Sequence, residues 1–308
     1  MITTISYVTY RHRDLEAVRS FYEDFGLKVT HESANRIYFR GYGDTPFLYI
    51  AERGDDPAFV GAAFEVDSME ELERLSRRLD SPIEPSDHPG GGMKVTTSDP
   101  DGKRIELVYG AARVQPLPQI RKPVPWNSGG ERNRLGRFPI FDVGPAPIMR
   151  VAHVVMSSPN PQRVIDWFTG TLGAFSSDVI VGQDGEPVGA FMRFPRGAEY
   201  VDHHNIAVFL GPTSGAQHTC FETLDIDAIG VGRRYLIQKG YRQSWGIVRH
   251  ALGGALSDYW HDPSGFRVEH VTDGDVLNDT FPTAYAAAGQ DSLEQWATMV
   301  MPDDFFQA

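Results

Sequence analysis

The chain has 308 residues, enough for two medium domains or for one domain assembled from repeated parts, and its 41% hydrophobic and 23% charged residues are ordinary for a globular protein. Its 29 basic residues are outnumbered by 41 acidic ones, giving a net charge of −12 with no basic cluster, a surface that repels a phosphate backbone and argues against nucleic-acid binding. No run approaches the ~20 apolar residues needed to cross a bilayer, the N-terminus lacks a secretory layout, and the lone Cys220 cannot form an internal disulfide, so a cytoplasmic protein without a membrane partner is expected.

The first half opens with an apolar strand over 5–10 and a helical pattern, DLEAVRSFYEDFG, with Asp14 as N-cap and Gly26 as stop. GAAFEVDSMEELERL, from Gly61, reads as a strand running into a helix, and DPDGKRIELVYG, from Asp99, as a turn followed by a strand. From Gly110 to Pro147 the chain carries Pro116, Pro118, Pro123, Pro125, Pro139, Pro145 and Pro147. Proline blocks regular ladders, so 111–147 reads as a linker packing irregularly across the surface. The second half opens with the strand IMRVAHVVM and with NPQRVIDWFTGTLG, a helix started by Asn160 or Pro161. QHTCFETLDIDAIGVG, from Gln217, and DPSGFRVEHVTDG, from Asp262, follow. In the tail, 274–308, SLEQWATMVM is a candidate short amphipathic helix.

The halves repeat one another. Aligning Tyr7 with His153 puts Phe21 on Trp167, fourteen residues later in both copies, and Phe64-Glu65 matches Phe221-Glu222. Each copy reads as a pair of βαβββ units, one module over 1–110 and another over 148–273. Where the second copy has His153, His218 and Glu269, the first has Tyr7, Gly61 and Glu106. The second copy can therefore bind a metal with these residues and the first cannot, which places the active site in the second half.

Taken singly, His153 and His218 are better explained as hydrogen-bonded strand residues, but Glu269, between Val268 and His270, needs a partner if buried. Two imidazoles and one carboxylate on matching strands suit Fe, Mn, Zn or Ni and leave adjacent positions for a substrate and O2. Around this triad stand His204, a candidate proton acceptor and donor beside His203, then His250 and Tyr259. Strand alternation would send only one of His203 and His204 inward. Asp262-Pro263-Ser264-Gly265 is turn chemistry, and His270 alternates away from the ligand face. Arg249, Trp245, Phe209 and Trp296 are candidates for shaping the pocket.

The stretch HALGGALSDYWHDPSGFRVEH, with its His, its Tyr nine residues on, its Pro-Ser-Gly-Phe turn and its Glu, resembles the type I extradiol ring-cleavage dioxygenases of the vicinal oxygen chelate superfamily. The resemblance covers almost the whole chain. It implies an α+β fold of two tandem modules of paired βαβββ units, forming open-barrel-like mixed sheets around a metal pocket. It also implies Fe(II), with Mn(II) as the alternative, held by His153, His218 and Glu269. His204 matches the acid–base histidine, and His250 and Tyr259 match hydrogen-bonding residues around the substrate. A catechol-type diol and O2 would be the reactants, a semialdehyde-type product the outcome, and a homo-oligomer the common assembly. Two other readings use the same units: a glyoxalase-like metal-dependent isomerase or lyase, and a non-catalytic small-molecule-binding protein. Oxygen uptake on adding a catechol separates the first from a dioxygenase, and metal analysis separates the second.

Overall fold

The computed structural model describes residues 1–118, 121–303 and 305; positions 119 and 120 of the linker, and 304 and 306–308 of the tail, lie outside the described residues. In the first module, β1 (Ile2–His12) leads into α1 (Leu15–Phe25), then β2 (Lys28–Ser33), β3 (Arg36–Arg40) and β4 (Tyr49–Arg53). A second unit repeats the plan with β5 (Ala58–Val66), α2 (Met69–Leu79), β6 (Ile83–Pro85), β7 (Met93–Ser98) and β8 (Arg104–Tyr109). Helix α1 begins where the Asp14 carboxylate accepts from the Glu16 and Ala17 amides, and ends at Gly26, whose φ of 124° few other residues adopt. Leu15, Val18, Phe21, Tyr22 and Phe25 form its buried stripe.

The second module runs β9 (Ile148–Ser158), α3 (Pro161–Trp167) continuing into a π-helical turn (Phe168–Leu172), β10 (Phe175–Val181), β11 (Pro187–Arg193), β12 (Val201–Asp202) and β13 (Ile206–Leu210). Next come β14 (Gly215–Thr223), α4 (Ile226–Lys239), β15 (Gln243–His250), β16 (Leu256–His261) and β17 (Arg267–Thr272). The tail adds β18 (Val276–Leu277), β19 (Ala284–Ala287) and β20 (Glu294–Ala297). The first sheet has the order β2-β3-β4-β1-β5-β8-β7-β6, the second β19-β10-β11-β13-β9-β14-β17-β16-β15-β20. In each, two βαβ units join through one central antiparallel pair, β1 with β5 and β9 with β14. This is the α+β architecture of paired βαβββ units anticipated above.

The tail departs from expectation. SLEQWATMVM is not a helix: Gln290–Ser292 is one 3-10 turn and β20 pairs antiparallel with β15. A helix of about ten residues is marginal alone, whereas the bare edge of β15 offers a full set of backbone partners. With β19 on β10, the tail covers both edges of the second sheet.

A continuous core joins the modules, from Phe21, Phe25 and Phe39 to Phe221, Trp260 and Val268. At the seam the His270 ring stacks on Phe25 at 3.7 Å and its Nε2 lies 2.7 Å from the Phe25 carbonyl oxygen. Asp24 accepts from the hydroxyls of Tyr235 and Tyr241 at 2.6 and 2.8 Å. The Asp262 turn also reaches across: Tyr22 donates to its Oδ2 at 3.3 Å, and Ser264 Oγ is 2.8 Å from His12 Nδ1.

Candidate metal centre

Three neighbouring strands deliver the triad. Cys220 of β14 pairs with His153 of β9 on one side and with Glu269 of β17 on the other, while His218 pairs with Val155, two residues along. Alternation therefore puts His153, His218 and Glu269 on one face around a small buried cysteine. His153 Nε2 and His218 Nε2 are 3.4 Å apart, and Glu269 Oε2 lies 3.3 and 3.1 Å from them. Donor atoms this close together would fit three ligands sharing one ion at ordinary bond lengths of about 2.1 Å. Among the described residues this is the group of three metal-capable side chains that converges so closely.

The surroundings favour a cation rather than a hydrogen-bonded cluster. Glu269 Oε2 is buried and, despite the short approaches, neither imidazole is aligned to donate to it. Burial pushes the Glu269 carboxyl up, but the two imidazoles beside it more than offset that and hold it well below the usual range. Burial brings His218 down to about 4, so at neutral pH it is an uncharged nitrogen donor. Its Nδ1–H is committed to Gln217 Oε1, which leaves Nε2 bare toward the triad.

The other candidates gather round the same pocket. His250 Nδ1–H donates to the Leu293 carbonyl oxygen at 2.8 Å, so its Nε2 accepts from the Tyr259 hydroxyl, also at 2.8 Å. Burial lowers His250 and raises Tyr259, keeping both neutral. The His204 ring stands 4.1 Å from that of His153, and its Nδ1 is 3.1 Å from His203 Nδ1, leaving Nε2 for the pocket. Burial first, then the neighbouring His153 and His203, lowers His204 well below an ordinary imidazole.

The family model described as Glyoxalase/Bleomycin resistance protein/Dioxygenase superfamily matches residues 4–107. Metapyrocatechase 2 of Cupriavidus necator is 28% identical over 286 residues, 92% of this chain and 85% of that protein. An iron-dependent extradiol dioxygenase of Rhodococcus jostii is 26% identical over 80% of this chain and 73% of its own. Among solved structures, a Mn(II)-bound glyoxalase from Novosphingobium aromaticivorans superposes with a TM-score of 0.81 at 24% identity, covering 100% of this chain and 94% of that one. Homoprotocatechuate 2,3-dioxygenase from Brevibacterium fuscum gives 0.79 at 20% identity over 99% and 91%. Residues 4–107 thus match that superfamily's model, and over most of its length the chain is similar to extradiol enzymes.

The strand plan of the matched segment recurs in the second half, and the strand register explains why the copies differ. Tyr7 pairs with Ala63, Thr9 with Gly61 and Ala63 with Glu106, so Tyr7, Gly61 and Glu106 occupy the places of His153, His218 and Glu269. A side chain on Gly61 would collide with the Arg104 carbonyl oxygen. Glu106 is satisfied without a metal: Tyr7 donates to it at 2.9 Å and the Lys94 ammonium at 3.0 Å. Burial pushes Glu106 up, but His88, Arg104 and Lys94 outweigh it and bring it to about 2.

Several features of the site escaped the sequence. His203 and His204 do not alternate on a strand. They lie in the bend between β12 and β13, where both are turned inward, His203 standing behind His204 with its Nε2 2.7 Å from Asp178 Oδ2. Gln217 is the extra residue of a β-bulge between Ala216 and His218, which is how it meets the side chain of its own neighbour. Its Nε2 donates to the Phe305 carbonyl oxygen, tying the tail to a member of the triad. Of the pocket-shaping candidates, Phe209 lines the cavity, but Trp245 is buried behind Tyr259, Trp296 is 49% exposed, and Arg249 is held by Asp273 and the Gly254 carbonyl.

Proposed function

We propose that this chain is an Fe(II)-dependent extradiol dioxygenase, opening the ring of a catechol-type diol beside its two hydroxyls and incorporating both atoms of O2. The observation that carries the reading is the triangle of His153 Nε2, His218 Nε2 and Glu269 Oε2 with His204, His250 and Tyr259 around one pocket. The extradiol enzymes among the relatives and the iron named in one of them support it. Bound by the triad, the ion would accept both diol oxygens and O2 on its open face, lowering the pKa of the hydroxyls and coupling the two reactants.

The chain's own groups supply the rest. His204, neutral and with Nε2 free, takes a proton from a substrate hydroxyl and later returns it to an oxygen. The Tyr259–His250 pair, fixed by the Leu293 carbonyl, presents a phenol oxygen that accepts from a substrate hydroxyl. The apolar walls exclude water from this exchange. Protein purified without oxygen and loaded with Fe(II) should consume one O2 per catechol while the yellow product absorbance rises. Metal-loaded protein that turns over no catechol, or acts on its substrate without taking up O2, refutes the proposal.

A further inference from the structure

We infer that the site, read as the catechol site proposed above, is built for uncharged catechols carrying an apolar substituent, and that the substituent occupies a second chamber beside the metal pocket. Besides the triad, the metal pocket, a narrow cavity of about 50 Å³, is walled by Val155, Phe191, Phe209, Leu252, Leu293 and Phe305. Phe209, Ser292 and Leu293 also wall a second, larger cavity, of about 420 Å³, completed by Ile180, Val188, Leu210 and Met301. Among the described residues no lysine or arginine lines either chamber. The nearby guanidinium groups are committed: Arg267 to Ser244 Oγ and the Phe305 carbonyl, Arg249 to Asp273 and the Gly254 carbonyl.

A polar cleft carrying Asp202, Glu222 and Asp275 also reaches His153 and His204. Its one arginine, Arg150, is offset by two carboxylates, with two bonds to Asp202 at 2.6 and 2.8 Å and one to Glu222 at 2.5 Å. A substrate carboxylate would thus meet apolar walls on one side and acidic groups on the other. An uncompensated charge loses its hydration in such a place, whereas an alkyl or aryl group gains from leaving water.

The test is a panel of 3-phenylcatechol, 3- and 4-propylcatechol, catechol, 3,4-dihydroxybenzoate and 3,4-dihydroxyphenylacetate, assayed with the Fe(II)-loaded enzyme. The better phenyl- or propylcatechol should exceed both carboxylates in kcat/KM by at least ~100-fold and catechol by at least ~10-fold. Gly289 lines the second chamber with open space around its missing Cβ, so Gly289→Trp fills that chamber without a backbone clash. It should lower kcat/KM for the preferred substrate at least ~10-fold and leave catechol within about 2-fold. A preference for a carboxylate or for bare catechol overturns the inference while leaving the dioxygenase reading standing. So does a Gly289→Trp enzyme that loses catechol and the substituted substrates equally. No turnover of any catechol refutes both.

Discussion

Gln217→Leu tests whether the site depends on an oriented imidazole. Gln217 holds His218 Nδ1–H through Oε1 and donates through Nε2 to the Phe305 carbonyl. Leucine fills similar space and makes neither bond. The Phe305 carbonyl keeps the Arg267 guanidinium at 2.7 Å, so the group left without a partner is the buried His218 Nδ1–H. Leaving one buried donor unsatisfied costs about 1–3 kcal/mol. The imidazole can recover part of that by rotating or by shifting its proton to Nε2, and either change spoils Nε2 as a ligand. Loss of an outer hydrogen bond of this kind costs about 10–100-fold in metal affinity, about 1.4–2.8 kcal/mol. Titration of the metal-free protein with Mn(II) or Fe(II) against a competing chelator measures the change, and thermal melts of the metal-free form report stability separately. An affinity within about 3-fold of wild type would show that Nε2 is aimed by packing alone.

Glu269→Ala removes the carboxylate that faces both imidazoles, so the purified protein should lose its metal along with its activity; full metal occupancy by elemental analysis would exclude this ligand set. His204→Phe keeps a ring beside His153 and Phe191 but no proton carrier, so metal content should stay near normal while kcat falls by about 10²–10⁴-fold, and survival of turnover would strip His204 of its role. Asp262→Asn concerns the seam between modules. Burial raises Asp262 from 3.8 to about 7, so the folded state holds its proton more tightly than the unfolded one, and its contribution is present in acid and lost as pH rises toward 7. The loss is on the order of 4 kcal/mol, and in denaturant melts of the metal-free protein the stability of wild type relative to the variant should fall by most of that from pH 4 to 7. Asp258, raised by burial to about 6, contributes with the same sign and the buried His218 and His270, lowered to about 4, with the opposite one, so the two proteins are compared at each pH. A difference between them that does not change with pH would mean that Asp262 titrates like an exposed carboxylate.

What could be read from the sequence was whatever is set by local chemistry or by the internal repeat. Asp14 and Gly26 mark the ends of α1 because capping and positive φ are short-range demands. His153, His218 and Glu269 stood out against Tyr7, Gly61 and Glu106 because the strand register is the same in both modules. What could not be read depends on partners distant along the chain. The tail became a strand because β15 had an edge to fill. Gln217 joined the site through a bulge, which shifts the face a residue occupies and leaves no compositional trace. His203 and His204 sit in a bend, where alternation does not apply.

The bond from Gln217 to Phe305 bears on how the protein comes into being. Chains emerge from the ribosome N-terminus first, and upstream units settle before downstream ones are made. All three triad residues are synthesised ahead of Phe305, whose carbonyl anchors the amide orienting one of them and follows Glu269 by 36 residues. A nascent polypeptide in which Phe305 is not yet made therefore holds a ligand set still short of this clasp.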